Sequence, residues 1–247
     1  MKIGFIGTGN MAGAIMSGLI NKGIFQPDEI IGSDISEQGR QNVKDNYGIC
    51  VTADNREASA AEVLVLSVKP QFYADTIAEI RDNMTEKQLV ITIAPGKTLK
   101  WLGEQFGKEM KIIRTMPNTP AMVGEGMTAA CPNEFVTDEE LGYALKILGA
   151  FGKVEIVPER IMDAVVAVSG SSPAYVFMLI EAMADAAVME GMPRTQAYKF
   201  AAQAVYGSAK MVLETGKHPG ELKDMVCSPA GTTIGAVRIL EEKGFRS

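Results

Sequence analysis

Short runs of apolar residues alternate with segments of helical periodicity over the first two thirds of the chain. The runs are rich in β-branched residues and are continuous rather than alternating, which is typical of strands buried on both faces. A parallel sheet covered by helices on both sides produces this arrangement. The pattern predicts strands at Lys2–Ile6, Glu29–Ser33, Val63–Val68, Leu89–Ile93, Ile112–Met116 and Lys153–Val157.

Two helix starts are visible between these runs. Apolar residues recur every four positions through Met11–Leu19, so one helix is predicted to begin near Asn10 with a single apolar stripe. Thr137 and Glu140 have the spacing of a capping box. A second helix is therefore predicted to begin at Thr137.

The C-terminal part has a different character, since no strand pattern appears from Glu159 onward. Ser172 followed by Pro173 is typical of an N-cap and first helical position, and predicts a helix that runs to Glu190 and ends at Gly191. That helix is apolar nearly all round, and about 90 residues of helix offer little material to surround it. We therefore infer that a partner subunit covers it.

The 247 residues are enough for one large domain or two modest ones. Residues 1–157 are predicted to form a domain around the sheet, and residues 158–247 an all-helical domain. Further helices are predicted in the second domain at Pro193–Gly216 and Thr232–Lys243.

Charge and composition narrow the class of protein. The net charge is −6, with 47% apolar and 22% charged residues, which is the balance of an ordinary globular protein. Nucleic-acid binders need clustered Lys and Arg to replace counterions, so no nucleic-acid partner is predicted. Two uncharged stretches, Ile3–Ile20 and Ala164–Ile180, are interrupted by glycines or by serines and a proline. Neither is predicted to be an export signal or a membrane span.

Cysteine and histidine content excludes several chemistries. The three cysteines, Cys50, Cys131 and Cys227, are widely spaced and form no C-x-x-C pair, which favours a reducing compartment and a cytoplasmic protein. Because His218 is the only histidine, three-histidine zinc sites are excluded and no metal is predicted. Its neighbours are glycine, lysine and proline, so we expect His218 to lie in an exposed turn and to have no catalytic role.

The segment from Gly7 to Ala12 fits the pattern G-x-G-x-x-A between a predicted strand and a predicted helix. Gly7 would permit the tight turn, Gly9 would let the backbone approach a pyrophosphate, and Ala12 would allow close packing of helix on strand. The helix N-terminus would supply amides and a positive dipole. The segment predicts a dinucleotide-binding domain of Rossmann-like, doubly wound type; a glycine-rich turn without a ligand is the alternative.

A carboxylate ends the second predicted strand. Asp34 stands where an acidic residue accepts hydrogen bonds from the adenosine ribose. A 2′-phosphate would meet a like charge there, which slightly favours NADH over NADPH, whereas nearby Arg40 would reverse the preference by binding that phosphate. A solvated loop position for Asp34 is the alternative.

Chain-breaking residues follow several predicted strands, at Val68–Pro70, Pro95–Gly96 and Met116–Pro120. Open α/β sheets bind ligands beyond the carboxyl ends of their strands, so these segments are expected at the same rim as the glycine loop. Lys69 would then lie near the cofactor; an ordinary surface position is the alternative for this lysine.

Small residues and hydroxyls precede the last predicted helix, in the segment Cys227–Thr233. Free backbone amides at that helix N-terminus, with the hydroxyls of Thr232 and Thr233, would hold a carboxylate without any arginine. A small acidic substrate fits such a site, and an ordinary capping turn is the alternative.

Taken together and in this order along the chain, the motifs resemble pyrroline-5-carboxylate reductases. The resemblance is carried by Phe5–Met11, Val68–Pro70, Met116–Pro120, Ser169–Tyr175 and Pro219–Thr233. It covers essentially the whole sequence. The last segment resembles the signature of the family and is far more specific than the glycine loop.

The resemblance implies reduction of 1-pyrroline-5-carboxylate, an imino acid, to L-proline by NADPH or NADH, the last step of proline biosynthesis. It implies cofactor contacts from Ile6, Gly7, Thr8, Gly9, Asn10, Met11, Asp34, Asn55, Val68, Lys69, Pro70, Ala94, Pro95 and Gly96. It also implies a substrate loop formed by Ser228, Gly231, Thr232 and Thr233. We expect the Thr233 hydroxyl to be the catalytic group that hydrogen-bonds the substrate ring nitrogen.

The family also implies a homodimer built through intertwined helical domains, often assembled into a higher homo-oligomer. The C-terminal domain is accordingly expected to be a dimerisation domain. Members of the family commonly continue past the position of Ser247 into another helix. We therefore expect this sequence to be shortened relative to the family.

Other interpretations stay open. A β-hydroxyacid dehydrogenase would share the glycine loop but carries a catalytic lysine in its second domain, and no lysine occurs from Val154 to Tyr198. A reductase that uses a deazaflavin cofactor does not account for the segment Ser228–Thr233. A nucleotide-sensing regulatory protein would bind the dinucleotide without catalysis and would need no threonine-rich turn.

Overall fold

The computed structural model describes residues 2–246, and within them eight strands form one sheet. The strands are β1 (Ile3–Ile6), β2 (Ile30–Ser33), β3 (Cys50–Thr52), β4 (Val63–Leu66), β5 (Leu89–Thr92), β6 (Lys111–Met116), β7 (Gly126–Pro132) and β8 (Gly152–Ile156). Their spatial order is β3-β2-β1-β4-β5-β6-β7-β8. The order reverses between β1 and β4, so this is the switch point where doubly wound sheets bind ligands.

Eleven α-helices lie in the described part of the chain. They are α1 (Asn10–Asn21), α2 (Glu37–Tyr47), α3 (Asn55–Ser59), α4 (Tyr73–Ile80), α5 (Leu99–Phe106), α6 (Asp138–Leu148), α7 (Met162–Val165), α8 (Ser172–Met189), α9 (Arg194–Thr215), α10 (Pro219–Val226) and α11 (Thr232–Glu242). The first six are interspersed with the strands, and the last five follow β8.

Both faces of the sheet are buried, as the continuous apolar runs predict. In β4, Val63 and Val65 join one cluster of buried side chains, whereas Leu64 and Leu66 join another. Successive side chains of a strand point to opposite faces, so the two clusters cover the two sides of the sheet. The predicted α/β fold, with a doubly wound sheet followed by an all-helical part, is confirmed.

Two strands were not predicted, and they alter the sheet. β3 has three half-buried residues, too short a run to stand out from a loop. β7 is rich in small residues and runs antiparallel to β6, while β8 runs parallel to β7. The six strands from β3 to β6 in the spatial order are therefore mutually parallel, and the β7–β8 pair runs in the opposite direction. Small side chains hide β7 from a search for apolar, β-branched runs.

The predicted helix starts near Asn10 and Thr137 are confirmed. α1 begins at Asn10, and Thr137 caps α6 through a reciprocal pair of hydrogen bonds with Glu140. The Thr137 side chain accepts from the Glu140 amide at 3.3 Å, and the Glu140 carboxylate accepts from the Thr137 amide at 3.0 Å. Lys111 donates a further hydrogen bond to this carboxylate.

The predicted helix from Pro173 to Glu190 agrees with α8, which runs over Ser172–Met189. Ser172 is its first residue and not its N-cap, because its hydroxyl donates to the Val168 carbonyl at 2.5 Å instead of capping the helix. Helical structure extends back to Glu159 and includes a π-helical turn at Val166–Gly170. Pro173 therefore lies in the first turn of α8 but inside a longer helical run.

Asn118 explains how this run tolerates a proline. Because Pro173 has no N–H, it cannot donate to the Ser169 carbonyl one turn earlier. The Asn118 side-chain amide donates to that carbonyl at 3.2 Å and to the Ser169 hydroxyl oxygen at 3.1 Å. The side-chain oxygen of Asn118 accepts from the Met127 amide at 2.8 Å. The loop after β6 thus satisfies the carbonyl that the proline leaves free.

A buried ion pair fastens the start of this helical run to the sheet. Arg114 in β6 is 5% exposed, and its guanidinium donates to Glu159 at 2.9 Å. The same carboxylate oxygen accepts from the Leu99 amide at 2.7 Å, at the start of α5. Cys131 lies opposite Arg114 in the sheet, and burial together with the Glu159 charge raises the pKa of its thiol.

The chain divides into two compact units between Ala174 and Tyr175, within α8. The predicted end of α9 is confirmed, because Gly216 terminates it in a left-handed conformation. In the second unit many large apolar side chains are exposed, including Phe177, Met178 and Phe200. Among the described residues, Glu159–Met189 is the one helical run long and apolar enough to cross a membrane, by length and composition alone.

Candidate cofactor and substrate sites

Gly7 makes the turn at the carboxyl end of β1. Its φ is +94°, and a Cβ at this position would lie 2.8 Å from the Ser67 carbonyl group and from the Val68 nitrogen. The Gly7 amide donates to the Ser33 carbonyl at 2.8 Å, and the Ser67 hydroxyl donates to the Gly7 carbonyl at 2.7 Å. The loop is thereby held between β2 and β4, and only glycine fits the turn without strain.

Gly9 stands at the N-cap of α1 with ordinary extended geometry, φ −71° and ψ −173°. A Cβ there would meet no atom within 4 Å of the described structure, and no side chain caps the helix in this part of the chain. The first-turn amides of α1 therefore remain available to an anion. Ala12 is 1% exposed and belongs to the apolar cluster under the helix. The donor set and the open space above Gly9 fit a pyrophosphate.

A cavity of about 370 Å³ opens at the switch point beside this loop. Six of the predicted cofactor residues line it, namely Ile6, Gly7, Asp34, Asn55, Val68 and Lys69. Five lining residues were not predicted, namely Ile35, Phe72, Asp75, Thr76 and Glu79. The volume is within the range of roughly 300–1,000 Å³ that small-molecule sites occupy.

The other predicted cofactor residues lie elsewhere around the same edge. Thr8, Gly9 and Asn10 line a second cavity of about 230 Å³ beside α1. Met11 is half-buried against the core, and Pro70 begins the short helical turn before α4. Ala94, Pro95 and Gly96 follow β5, the parallel neighbour of β4. The structure therefore places all of them at the carboxyl edge of the sheet but not in one cavity.

The Asp34 carboxylate is engaged within the protein. One oxygen accepts from the Thr8 amide at 2.8 Å and from the Thr8 hydroxyl at 3.1 Å, and the other accepts from the Ser36 amide at 2.9 Å. The Arg40 guanidinium donates to the Asp34 carbonyl at 2.6 Å. Asp34 thus braces the glycine loop, and the Arg40 guanidinium lies next to it.

Asn55 connects the core to the cavity wall. Its side-chain oxygen accepts from the buried Ser33 hydroxyl at 2.7 Å, and its amide donates to the Glu79 carboxylate at 2.7 Å. The family resemblance implied Asn55 but not Glu79. The signal was present, because Phe72, Asp75, Thr76 and Glu79 have the spacing of one helix face.

The predicted substrate loop precedes α11 in the second unit. Gly231 is the N-cap of this helix, with no side-chain cap among the described residues, and its amide donates to the Ser228 carbonyl at 3.0 Å. Ala230 has a φ of +56°, a left-handed conformation that alanine rarely adopts. The loop therefore offers free first-turn amides together with the side chains of Thr232 and Thr233.

His218 is the N-cap of α10, a helix that was not predicted. Its Nδ1 accepts from the Gly220 amide at 3.0 Å, and the residue is exposed. The expected turn is therefore a helix start. The three cysteines are free, and the described residues contain no cluster of three or more His, Cys, Asp or Glu that would bind a metal.

Comparison with known proteins covers the whole chain. A family model described as "Pyrroline-5-carboxylate reductase dimerisation" matches residues 159–247, and one described as "NADP oxidoreductase coenzyme F420-dependent" matches residues 2–96. The pyrroline-5-carboxylate reductase of Escherichia coli (strain K12) is 54% identical over 247 residues, which are 100% of this chain and 92% of the relative. The chain belongs to the pyrroline-5-carboxylate reductase family.

Solved structures of the family agree with this assignment. A pyrroline-5-carboxylate reductase from Coxiella burnetii has a TM-score of 0.90 at 38% identity, covering 99% of this chain and 92% of that one. A pyrroline carboxylate reductase from Plasmodium falciparum, solved with NADP bound, has a TM-score of 0.90 at 31% identity, covering 100% and 91%. The family predicted from the motifs is confirmed, and with it an NAD(P)H-dependent reductase of proline biosynthesis that carries a dimerisation domain.

Proposed function

We propose that this reductase converts 1-pyrroline-5-carboxylate to L-proline with the first unit holding the dinucleotide and the segment before α11 holding the substrate. The observation that carries the proposal is the glycine loop, whose uncapped helix N-terminus stands beside a cavity at the switch point of the sheet. The nicotinamide supplies a hydride to the imine carbon, and the ring nitrogen ends protonated. The protein has to fix the ring and stabilise charge on its nitrogen.

The cofactor contacts are proposed in three groups. Gly7, Thr8, Gly9, Asn10 and Met11 surround the pyrophosphate, with the amides at the start of α1 as the donors, since the Gly7 and Thr8 amides already donate to Ser33 and Asp34. Ile6, Asp34, Asn55, Val68 and Lys69 belong to the cavity wall, with Pro70 at the following turn. Ala94, Pro95 and Gly96 follow the next strand of the sheet. Support comes from the shared carboxyl edge on which all of these residues lie.

Arg40 is proposed to let the enzyme accept NADPH as well as NADH. The Asp34 carboxylate already accepts three hydrogen bonds, which lessens its repulsion of a 2′-phosphate, and Arg40 supplies a cation next to it. Replacing Arg40 by alanine is expected to raise KM for NADPH about tenfold, the effect of one charged hydrogen bond. KM for NADH should change little, and an equal change for both cofactors would exclude this role.

For the substrate, we propose that amides at the start of α11 bind the carboxylate. Ser228 and Gly231 shape the turn, since they are joined by a hydrogen bond, and Thr232 contributes to the same first turn. The Thr233 hydroxyl is proposed as the catalytic group that hydrogen-bonds the ring nitrogen. Removing one such bond costs on the order of 10² in rate.

A homodimer, or a higher homo-oligomer built from dimers, is proposed to cover the apolar helices. The exposed side chains of the second unit support this, as does the dimerisation model over residues 159–247. That model also supports the proposed domain boundary between residues 157 and 158. The free cysteines support a cytoplasmic location. We propose a small-molecule substrate, without a nucleic-acid or membrane partner.

The test is the loss of reduced-nicotinamide absorbance on adding pyrroline-5-carboxylate, with NADPH and NADH compared. Thr233→Val removes the hydroxyl at similar size and should lower kcat/KM about 100-fold, while Thr233→Ser keeps the hydroxyl and should retain most activity. Wild-type activity in Thr233→Val would exclude the catalytic role. Binding of the nucleotide without its oxidation by the imine would favour the nucleotide-sensing alternative.

A further inference from the structure

One face of α4 forms a wall of the cavity at the switch point. Phe72 directly precedes this helix, and Asp75, Thr76 and Glu79 follow at spacings of three and four, which puts them on one side of it. Apolar and polar groups both line the cavity: the Phe72 ring and three aliphatic side chains lie in its wall together with the Thr76 hydroxyl, three carboxylates and Lys69. That combination fits a flat heterocycle with a polar edge.

Two large apolar side chains in the cavity wall are exposed to solvent. Ile35, directly after Asp34, is 91% exposed, and Phe72 is 51% exposed. Val68 lies in the same wall. Large apolar groups around a cavity favour binding a ring between them, since the ring removes their surface from water.

The polar part of the cavity combines a buried hydroxyl with an exposed carboxylate. Thr76 is 7% exposed, whereas Glu79 is exposed to solvent. The Glu79 carboxylate is held in place by Asn55 at 2.7 Å, and Asn55 is held in turn by the buried Ser33 at 2.7 Å. One Glu79 oxygen accepts the bond from Asn55, which leaves the other available to a donor on a ligand.

We propose that Glu79, with Thr76, recognises the amino-bearing edge of the cofactor's adenine ring. The exocyclic amino group would donate a hydrogen bond to the Glu79 carboxylate, and the Thr76 hydroxyl would donate one to a neighbouring ring nitrogen. The inference rests on the proposed function, because it takes the cavity to be the adenosine end of the dinucleotide site. It assigns Glu79 and Thr76 as residues that select the base.

Hypoxanthine is the matched probe, because it replaces the amino group with an oxygen that only accepts hydrogen bonds and converts ring N1 from an acceptor to an N–H donor, from which the Thr76 hydroxyl can accept. The carboxylate would meet that oxygen as a second acceptor. Wild-type enzyme is expected to show a KM for the hypoxanthine analogue of NADPH at least tenfold above its KM for NADPH, the effect of losing a hydrogen bond to a charged group. The kcat should be similar, since the nicotinamide is unchanged.

Glu79→Gln is the decisive variant, since a glutamine amide can donate to the hypoxanthine oxygen. The KM ratio between the two cofactors should fall to near one or reverse. Glu86→Gln is the matched control: it makes the same substitution at an exposed glutamate that does not line the cavity, and it should keep the wild-type ratio. Thermal unfolding checks that both variants fold. If Glu79→Gln does not fold, Thr76→Val replaces it, and this variant should reduce the KM ratio in part.

The outcomes separate the two proposals. Equal KM values for both cofactors in wild-type enzyme would overturn the inference while the proposed function stands. A ratio preserved in Glu79→Gln, or lost to the same extent in Glu86→Gln, would overturn the assignment to Glu79. No oxidation of NADPH by the imine in wild-type enzyme would instead refute the proposed function.

Discussion

Replacing Gly7 or Gly9 by alanine should separate the folding role of the glycine loop from its role in binding. At Gly7 the new methyl group would lie 2.8 Å from backbone atoms of Ser67 and Val68, which directly follow β4; the Ser67 amide is held by the Ile6 carbonyl of β1. A left-handed backbone costs a residue with a Cβ about 1–2 kcal/mol, and overpacking adds about 1–3 kcal/mol. Gly7→Ala should therefore lose about 3 kcal/mol of stability, which for a chain of this size lowers Tm by roughly 6–12 °C.

Gly9→Ala is the matched control because the same methyl group meets no atom there within 4 Å. The backbone at Gly9 is extended, so alanine adopts it without strain. Alanine is a weaker N-cap than glycine, but it also has less freedom to lose on folding, and the net change should stay within about 1 kcal/mol. The methyl group would occupy the space through which a pyrophosphate approaches, so KM for NADPH should rise at least tenfold, about 1.4 kcal/mol.

Two measurements are needed for each variant. Thermal unfolding without nucleotide, at one fixed protein concentration, reports the folding effect. Steady-state oxidation of NADPH at saturating imine reports KM. A wild-type Tm in Gly7→Ala would show that the loop relaxes to accept the methyl group. The close contact would then not require glycine at this position. An unchanged KM in Gly9→Ala would show that the space above the helix is not where the cofactor lies.

Three further outcomes are expected. Glu159→Ala leaves the buried Arg114 without its partner and should cost about 3 kcal/mol, seen as a Tm lower by roughly 6–12 °C; a Tm within a degree or so of wild type would contradict this. Burial raises the pKa of Glu140, but hydrogen bonds from Lys111 and Thr137 lower it on balance. Its folded pKa is therefore below its unfolded one, so Glu140→Gln should be less stable than wild type at neutral pH and lose that difference as pH falls through the folded pKa, as denaturant titrations at several pH values would show. His218→Ala should retain activity in the reductase assay, and a large loss of kcat would restore the histidine as a candidate acid.

The local sequence pattern was sufficient to predict a helix or strand wherever the residues of that element alone determine its structure. Continuous apolar runs identified β1 and β4, since burial on both faces imposes the same demand on every residue. The capping box at Thr137 and the glycine end of α9 were equally local. β7 escaped because its small side chains satisfy a buried position without being β-branched, and only its pairing with β6 makes it a strand.

The candidate site shows the same division. The glycine loop was visible because the tight turn and the helix start lie next to each other in sequence. The orientation of Asp34 was not, since the Thr8 amide that its carboxylate accepts from is distant along the chain. Glu79 was missed for the same reason, because its place in the cavity depends on Asn55 and on the buried Ser33 behind it.

Pro173 shows how a local rule can find the start of a helix and miss the helical structure that precedes it. A serine before a proline favours a helix start, because a proline inside a helix leaves the carbonyl one turn earlier without its N–H donor. A helix that continues through the proline needs another donor for that carbonyl. Here the amide of Asn118 supplies it from the loop after β6, and the π-helical turn precedes the proline. The two motifs at Met116–Pro120 and Ser169–Tyr175 are thus one structural feature: the first supplies the hydrogen-bond donor that the second lacks. The contact between these distant segments depends on both motifs, and it cannot be inferred from either one alone.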